Sequence, residues 1–321
     1  MTETLLDIAN LHVRFGATTA VAGACLHVSK GEAVGLVGES GSGKSATILA
    51  ALRLHPPNAR ISATHLTLGG HDVLTLPQPA LRRLRGRFAA MIFQDPLTAL
   101  NPLLTIGTQI AEVLTRHRAL SPADARRQAA ALLTQVGITD PARRLAQYPH
   151  EFSGGMRQRA MIAAALAGDP ALLIADEPTT ALDVTVQAEL VRLIAGLQRQ
   201  RGMGLLWVTH DLALMAGIVD RVVVMYAGRV MESGPVAALY ANPRHPYTIA
   251  LLESLPRLDQ GRGRVLAGGP PDLTRPTSGC VFAPRCSARM PRCMQAPPMF
   301  AAGDSHVACW LAAPAGAEVA A

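Results

Sequence analysis

Residues 38–45 combine closely spaced glycines with a lysine and a serine, in the order Gly-Glu-Ser-Gly-Ser-Gly-Lys-Ser. An apolar run precedes them at 33–37, which predicts a buried strand, and a predicted helix follows from residue 45. Glycine backbone turned toward phosphate oxygens, next to a helix N-terminus, forms a phosphate-binding loop, or P-loop. Lys44 would supply a compact positive charge to the β and γ phosphates, and Ser45 would ligate Mg²⁺. The pattern predicts a site for ATP and Mg²⁺, and the residues assigned to it are Gly38, Ser40, Gly41, Gly43, Lys44 and Ser45.

A second motif joins an apolar segment to two acids. Residues 172–175 predict a buried strand, and Asp176 and Glu177 follow it directly. Asp176 would reach Mg²⁺, and Glu177 would polarise the water that attacks the γ-phosphate. Two acids at a strand end are, by themselves, equally typical of a solvated turn. The lysine of the P-loop pattern lies 132 residues earlier, and this combination favours the catalytic interpretation.

Residues 152–156 read Phe-Ser-Gly-Gly-Met and begin another predicted helix. Ser153 lies 23 residues before Asp176. Together with the two phosphate motifs, this segment resembles the signature sequence of ABC-transporter ATPases. Phe152 and Met156 stand where the family commonly has leucine and glutamine, while the Ser-Gly-Gly centre is intact. The resemblance implies that Ser153, Gly154 and Gly155 contact the ATP held by the P-loop of a second subunit.

The same resemblance assigns further positions. Gln94 matches the glutamine that joins Mg²⁺ and the attacking water to the helical domain, and residues 180–183 (Thr-Ala-Leu-Asp) match the D-loop. His210, after a predicted strand, matches the histidine that contacts the γ-phosphate. Phe15 stands where an aromatic ring stacks on adenine, although a core residue at a strand end is the alternative. The predicted catalytic residues are Lys44, Gln94, Glu177 and His210.

Several longer segments are similar to the oligopeptide/dipeptide importer subfamily. They are residues 93–102, 148–151, 242–248, 268–273 and 279–286. The resemblance implies an ATP-hydrolysing subunit that powers import of dipeptides or oligopeptides through two separate permease subunits. It also implies a second, non-identical ATPase subunit, an extracytoplasmic solute-binding protein that acts indirectly, and a peripheral position on the cytoplasmic face of the cell membrane. Nickel importers share much of the pattern, so a nickel or other small-solute cargo stays open.

Composition excludes several other classes. The chain has 321 residues, of which 49% are hydrophobic, so it can bury a core and is not a disordered protein. No run reaches the roughly 18 apolar residues of a membrane-spanning helix, and the N-terminus lacks a signal peptide's basic region. A net charge of +7 is compatible with a non-transport ABC ATPase acting on nucleic acid. No aromatic-interleaved basic stripe, second cassette or coiled-coil insertion supports that alternative. A soluble kinase is disfavoured because it must exclude the water that Glu177 would activate.

The resemblance predicts an α/β fold, a P-loop ABC ATPase with a RecA-like core, an antiparallel β subdomain and an inserted helical subdomain. The nucleotide-binding domain is expected at 1–240 with the insertion at about 81–165, and an irregular extension at 241–321. Strands are predicted at 11–15, 24–28, 33–37, 171–175 and 204–209, with a hairpin at 221–230. Helices are predicted at 45–54, 81–87, 106–120, 122–136 and 184–201.

Four of the five cysteines lie in that extension: Cys280, Cys286, Cys293 and Cys309. Their spacing, C-x5-C-x6-C-x15-C, differs from the paired spacing of common zinc sites. Peptide importers with this extension resemble the chain in carrying four such cysteines, which implies a [4Fe–4S] cluster. Zn²⁺ and four reduced thiols without metal are the alternatives. Cys25 lies on a predicted strand and is expected to be a small buried residue.

Overall fold

The computed structural model describes residues 2–180, 182–255, 266, 268–269, 271–274 and 278–314. These residues form two compact units. Unit one consists of the described residues within Met1–Leu6, Val28–Glu32 and Thr67–Trp207. Unit two consists of those within Asp7–His27, Ala33–Leu66 and Val208–Ala321. The domain boundaries expected near residues 81, 165 and 240 remain predictions.

The strands are β1 (Thr4–Phe15), β2 (Thr18–Ser29), β3 (Ala33–Val37), β4 (Ala59–Ser62), β5 (His65–Leu68), β6 (His71–Asp72), β7 (Ala89–Ile92), β8 (Leu172–Asp176), β9 (Gly204–Thr209), β10 (Arg221–Tyr226), β11 (Arg229–Pro235), β12 (Phe300–Ala302) and β13 (Ser305–Val307). The helices are α1 (Lys44–Ala51), α2 (Gln78–Arg87), α3 (Pro96–Ala99), α4 (Ile106–Arg118), α5 (Pro122–Gln135), α6 (Pro141–Arg144), α7 (Gly154–Ala167), α8 (Val184–Arg201), α9 (Val236–Ala241) and α10 (Pro246–Glu253). Short 3₁₀ turns lie at Pro149–Glu151, Leu212–Met215, Ala283–Arg285, Pro291–Met294 and Trp310–Ala312.

Unit one is built on parallel strands. β7 pairs in parallel with β8, with Ala89 opposite Leu172 and Ile92 opposite Ala175, and β9 lies on the other side of β8. Every residue of β8 and β9 is buried, as expected of parallel strands that are covered on both faces. Helices α4, α5 and α7 pack against one another. Ser121 caps α5 by accepting a hydrogen bond from the N–H of Asp124, which confirms that predicted helix start.

Helix α2 is longer and less regular than predicted. It begins at Gln78, before the expected start, and its regular helical geometry breaks at Arg85 and Gly86. Gly86 has a φ of 85°, a conformation that glycine adopts without strain. A Cβ at Gly168 would lie 1.6 Å from the carbonyl oxygen of Gly86, so two glycines allow the chain segments to touch here. The break therefore depends on a backbone contact that local sequence periodicity does not reveal.

Unit two contains the strand that leads into the P-loop. β3 pairs in parallel with β10, with Val34 opposite Arg221 and Val37 opposite Val224. β10 and β11 form the expected hairpin, whose turn places Ala227 at φ 49° and Gly228 at φ 80°. β1 lies next to β2 and also pairs with β4. The apolar run of β3 is entirely buried, which fits the prediction of a core strand.

The C-terminal extension contains more regular structure than expected. It includes α10 and the short β12–β13 hairpin, and β13 pairs with β11 through Glu232–Val307 and Ser233–His306. The Glu232 side chain is fully buried and accepts hydrogen bonds from the N–H groups of Arg244 and His245, both at 2.9 Å. A buried carboxylate must be hydrogen-bonded to be tolerated. Glu232 therefore fastens the segment before α10 to the hairpin.

We expect Glu232→Gln to destabilise this attachment. The amide has one acceptor oxygen, so its NH₂ group would face a backbone N–H, and the loss should be about 1.5–3 kcal/mol. Chemical denaturation followed by tryptophan fluorescence measures the change, since Trp310 is buried in the extension and Trp207 is buried in β9. Glu253→Gln at the exposed end of α10 is the matched control and should shift stability by less than about 0.5 kcal/mol. Equal shifts for both variants would contradict the structural role of Glu232.

Candidate functional site

The P-loop joins β3 to α1, as the sequence predicts, and two of its glycines are required by backbone contacts. A Cβ at Gly38 would lie 2.1 Å from the carbonyl oxygen of Met225. Gly43 is the N-cap of α1 with a φ of 99°, and a Cβ there would lie 2.5 Å from the carbonyl oxygen of Ala20. No other residue type fits either position without displacing backbone.

Lys44 lies inside the loop that precedes it. Its side chain is buried, and its ammonium group donates hydrogen bonds to the carbonyl oxygens of Gly38 at 2.8 Å and Glu39 at 3.0 Å. Ser40, Gly41 and Ser45 are exposed at the open side of the loop. The arrangement presents a helix N-terminus, a cation and a hydroxyl together, which is what phosphate oxygens and Mg²⁺ require.

The two acids after β8 differ in environment. Asp176 ends the strand and is buried. Glu177 adopts a left-handed backbone conformation with a φ of 44°, which is unusual for a residue with a Cβ. Its Oε2 accepts a hydrogen bond from Thr180 Oγ1 at 3.1 Å and a longer one from Gln94 Nε2 at 3.5 Å. Unit one therefore brings together Gln94 and Glu177, two residues that the sequence analysis assigned to hydrolysis.

The signature segment begins α7 as predicted. Ser153 is the N-cap and accepts a hydrogen bond from the N–H of Met156 at 3.3 Å. Ser153 and Gly154 are exposed, and Gly155 is partly exposed. Gln158, one turn into the helix, donates to the carbonyl oxygen of Pro178 at 2.6 Å and so ties α7 to the segment after Glu177. The helix presents its N-terminus to solvent.

The remaining predicted residues lie at element ends. His210 is exposed directly after β9 and belongs to unit two. Phe15 ends β1 and is half-buried, and its ring contacts the His55 ring edge-on at 5.3 Å between centroids. His55 in turn bonds the carbonyl oxygen of Ala46 in α1 at 2.8 Å. Phe15 is thus near the helix that follows the P-loop.

Ala181 of the predicted D-loop and Pro270 of the importer-like segment lie outside the described residues.

The four cysteines of the extension border one small cavity, together with His245. Burial raises the pKa of the Cys280 and Cys286 thiols and raises that of Cys309 to about 11, and neighbouring thiols add to these shifts. Burial lowers the pKa of His245 to about 4, so this ring is neutral near pH 7. Within the described ranges, no three His, Cys, Asp or Glu side chains stand close enough to hold a metal ion. The thiols therefore converge on one place without forming a closed single-ion site.

The expectation that Cys25 is buried is wrong. Cys25 is exposed on β2, while its neighbours Ala24 and Leu26 are buried. Because side chains alternate between the two faces of a strand, the apolar neighbours take the inner face and Cys25 takes the outer one. The alternation in residues 24–28 was the signal that placed it outside.

Two functional contacts have no counterpart in the sequence analysis. Tyr247 of α10 and Arg285 of the cysteine-bearing loop both contact Glu39 of the P-loop. Residues 39 and 285 are 246 positions apart, so no local pattern connects them.

In the described part of the chain, each helix is too short or too polar to cross a bilayer.

Known families and relatives match most of the chain. The family model described as "ABC transporter" matches residues 21–180, and the one described as "Oligopeptide/dipeptide transporter, C-terminal region" matches residues 231–293. The dipeptide transport ATP-binding protein DppD of Bacillus subtilis is 46% identical over 318 residues, covering 96% of this chain and 95% of that protein. The oligopeptide transport ATP-binding protein OppD of Salmonella typhimurium is 47% identical over 301 residues, covering 92% of this chain and 90% of that protein.

Solved structures agree on the fold. The cbiO1 protein of Clostridium perfringens, described as part of an ABC transporter complex, matches with a TM-score of 0.65 at 23% identity, over 75% of this chain and 92% of that one. The ATP-binding cassette MJ0796, a dimer bound to ADP and Pi, matches with a TM-score of 0.64 at 26% identity, over 72% of this chain and 98% of that one. With its phosphate-binding loop, signature helix and matching C-terminal region, the chain belongs to the ABC-transporter ATP-binding proteins, in the branch that carries the oligopeptide/dipeptide transporter C-terminal region.

Proposed function

We propose that this ABC ATPase powers the import of dipeptides or oligopeptides through two separate permease subunits. The observation that carries the proposal is the match of residues 231–293 to the peptide-transporter C-terminal region, in a chain that aligns with peptide-transport ATP-binding proteins over nearly its whole length. The relatives are named for peptide transport, which favours peptides over nickel as cargo and over action on nucleic acid. A peripheral position on the cytoplasmic face of the membrane follows from such a role.

The residues of the P-loop and of the strand end suit hydrolysis of ATP. Lys44 would hold the β and γ phosphates by its charge, and Phe15 would lie against adenine. Ser45, Gln94 and Asp176 offer oxygen ligands, the donor type that Mg²⁺ prefers. When bound, Mg²⁺ neutralises charge on the phosphate oxygens.

Besides Lys44, three side chains are assigned to hydrolysis. Glu177 would accept a hydrogen bond from the attacking water and orient it in line with the γ-phosphate. Gln94, within reach of the Glu177 carboxylate, would contact the same water. His210 would contact the γ-phosphate. The left-handed backbone at Glu177 directs its side chain differently from that of a regular strand-end residue.

A second ATPase subunit is part of the proposal. The exposed N-terminus of α7 offers the hydroxyl of Ser153 and the N–H groups of Gly154 and Gly155 to a phosphate outside its own helix. Two subunits paired head to tail would place this helix against the P-loop of the partner, which we propose is a non-identical chain. A solute-binding protein outside the membrane would act on this subunit only through the permeases.

The four cysteines of the extension are proposed to bind a [4Fe–4S] cluster. The donor set fits, because four thiols border one cavity and each can supply a thiolate ligand. The cavity bordered by the four thiols has a volume of about 10 Å³ in this structure. A cluster would stabilise the extension, whose own apolar core is small.

Glu177→Gln should bind ATP but lower its turnover by about 10²–10⁴-fold, because an amide keeps the shape of the carboxylate without its charge. Lys44→Ala should instead weaken nucleotide binding. Steady-state ATPase activity of the assembled transporter and retention of labelled ATP on filters measure the two effects. Glu3→Gln is the control, since the Glu3 side chain forms an exposed ion pair with Lys30. Hydrolysis by Glu177→Gln at the wild-type rate would remove Glu177 from its role.

The head-to-tail arrangement predicts that the isolated chain is a poor ATPase and that activity rises when the partner subunit is added. Lys44→Ala should abolish photolabelling of this chain by an azido-ATP. Ser153→Ala should leave that labelling intact and impair hydrolysis at the partner's P-loop. Ser121→Ala removes an equivalent helix cap on α5 and controls for the roughly 1 kcal/mol stability cost of a lost cap. Full activity of the purified chain at high dilution would contradict the arrangement.

Anaerobically purified protein should carry iron and acid-labile sulfide and show visible absorption. Cys286→Ser and Cys309→Ser should lose both, whereas Cys25→Ser, which changes an exposed thiol on β2, should retain them. Metal analysis and absorption spectra provide the measurement. Stoichiometric zinc without iron would show that the thiols form a zinc site and not a cluster. Four metal-free thiols that react with a thiol reagent in the native protein would exclude both the cluster and the zinc site.

A further inference from the structure

A partly buried ion pair connects the P-loop to the C-terminal extension. The guanidinium of Arg285 contacts both carboxylate oxygens of Glu39, with Nη1–Oε2 at 2.7 Å and Nη2–Oε1 at 3.1 Å. The Arg285 side chain is 7% exposed and that of Glu39 is 27% exposed. Two parallel, charge-assisted hydrogen bonds of this kind fix orientation as well as distance. All of these residues lie in unit two.

Arg285 is held in place from several sides. It ends the 3₁₀ turn Ala283–Arg285, directly before Cys286. Its guanidinium lies over the ring of Tyr226 at 5.6 Å and donates to the Tyr226 hydroxyl at 3.2 Å. A further hydrogen bond of 3.4 Å runs to the carbonyl oxygen of Leu266. A guanidinium held by these contacts can fix the orientation of the carboxylate that it binds.

Glu39 uses each of its polar groups in a different contact. Its carboxylate binds Arg285, and its backbone N–H donates to the hydroxyl of Tyr247 at 2.9 Å. Its carbonyl oxygen accepts the hydrogen bond from Lys44 Nζ at 3.0 Å. Tyr247 is fully buried, and burial raises its pKa, so the hydroxyl stays protonated. Glu39 therefore connects two residues of the extension to Lys44, the lysine assigned to the phosphates.

The charge of Glu39 makes this contact matter for ATP. The P-loop pattern does not specify the residue at position 39, and in this chain that residue is a glutamate. An unpaired carboxylate there would repel phosphate and would offer Lys44 a competing partner. Arg285 neutralises the charge and directs the carboxylate toward itself.

We propose that Arg285 and Tyr247 are positioning residues of the nucleotide site, which act through Glu39 to set the affinity for ATP. Both hydrogen-bond to Glu39, and Glu39 in turn accepts a hydrogen bond from Lys44. The extension therefore contributes to ATP binding, in addition to carrying the cysteine-bearing loop. This role holds whether or not the neighbouring cysteines bind a cluster.

The first test compares Arg285→Met and Arg285→Lys with wild type. Arg285→Met should raise the Kd of the full-length chain for a fluorescent ATP analogue, and the KM for ATP of the assembled transporter, by about tenfold. The kcat should change by less than about twofold, because the reacting groups are intact. Arg285→Lys keeps the charge but loses the paired hydrogen bonds, and should recover part of the affinity. Arg289→Met, an exposed arginine on the same loop, is the matched control and should bind ATP normally.

The second test separates positioning from a merely structural role. Glu39→Gln removes the carboxylate that Arg285 neutralises, so adding Glu39→Gln to Arg285→Met should restore the Kd to within about threefold of Glu39→Gln alone. Tyr247→Phe removes only the hydroxyl and should raise KM without changing kcat. If Arg285→Met misfolds, Glu39→Gln and Tyr247→Phe still report on the contact. Unchanged ATP affinity in Arg285→Met and Tyr247→Phe, additive effects of the Glu39 and Arg285 changes, or equal losses of kcat and affinity would overturn the proposal.

Discussion

The shape of the P-loop depends on backbone from other segments, which occupies the space that side chains at its glycines would need. Gly38 packs against the Met225 carbonyl, and Gly43 packs against that of Ala20. The hairpin turn after β10 completes the contact, since the N–H of Gly228 donates to the Ser42 carbonyl at 2.9 Å. Close approach of three backbone segments leaves no room for a Cβ. The loop around Lys44 therefore depends on strands that are distant in sequence.

The hairpin also carries the C-terminal extension. β11 contributes the buried carboxylate of Glu232, which binds the segment before α10, and its edge pairs with β13. This attachment places α10 and the cysteine-bearing loop in the same unit as the P-loop, where Tyr247 and Arg285 reach Glu39. The extension is therefore part of the packing around the P-loop and also carries the four cysteines.

In unit one, the backbone conformation and a few hydrogen bonds hold Glu177 and Gln94, two of the residues assigned to hydrolysis. Glu177 keeps a left-handed backbone conformation, which costs of order 1–3 kcal/mol and persists only where surrounding contacts determine it. Gln94 and Thr180 bind its carboxylate, and Gln158 of the signature helix binds the carbonyl of Pro178, the next residue. The start of α7 and the Glu177 side chain are thus connected through a few short contacts.

Local pattern determined much of this protein. The P-loop, the acids after β8, the Ser153 cap and the full extents of α8 and β9 follow from glycine spacing, apolar periodicity and capping residues, which act over a few positions. The same rules, applied to the alternation of β2, would have placed Cys25 outside.

Tertiary packing alone decided the rest. The break in α2, the β12–β13 hairpin on β11 and the pairing of Glu39 with Arg285 each join segments far apart in the chain. The cavity shared by the four cysteines likewise forms only when their loops fold together. Such contacts depend on which surfaces meet after the core forms, and a one-dimensional pattern carries no signal for that.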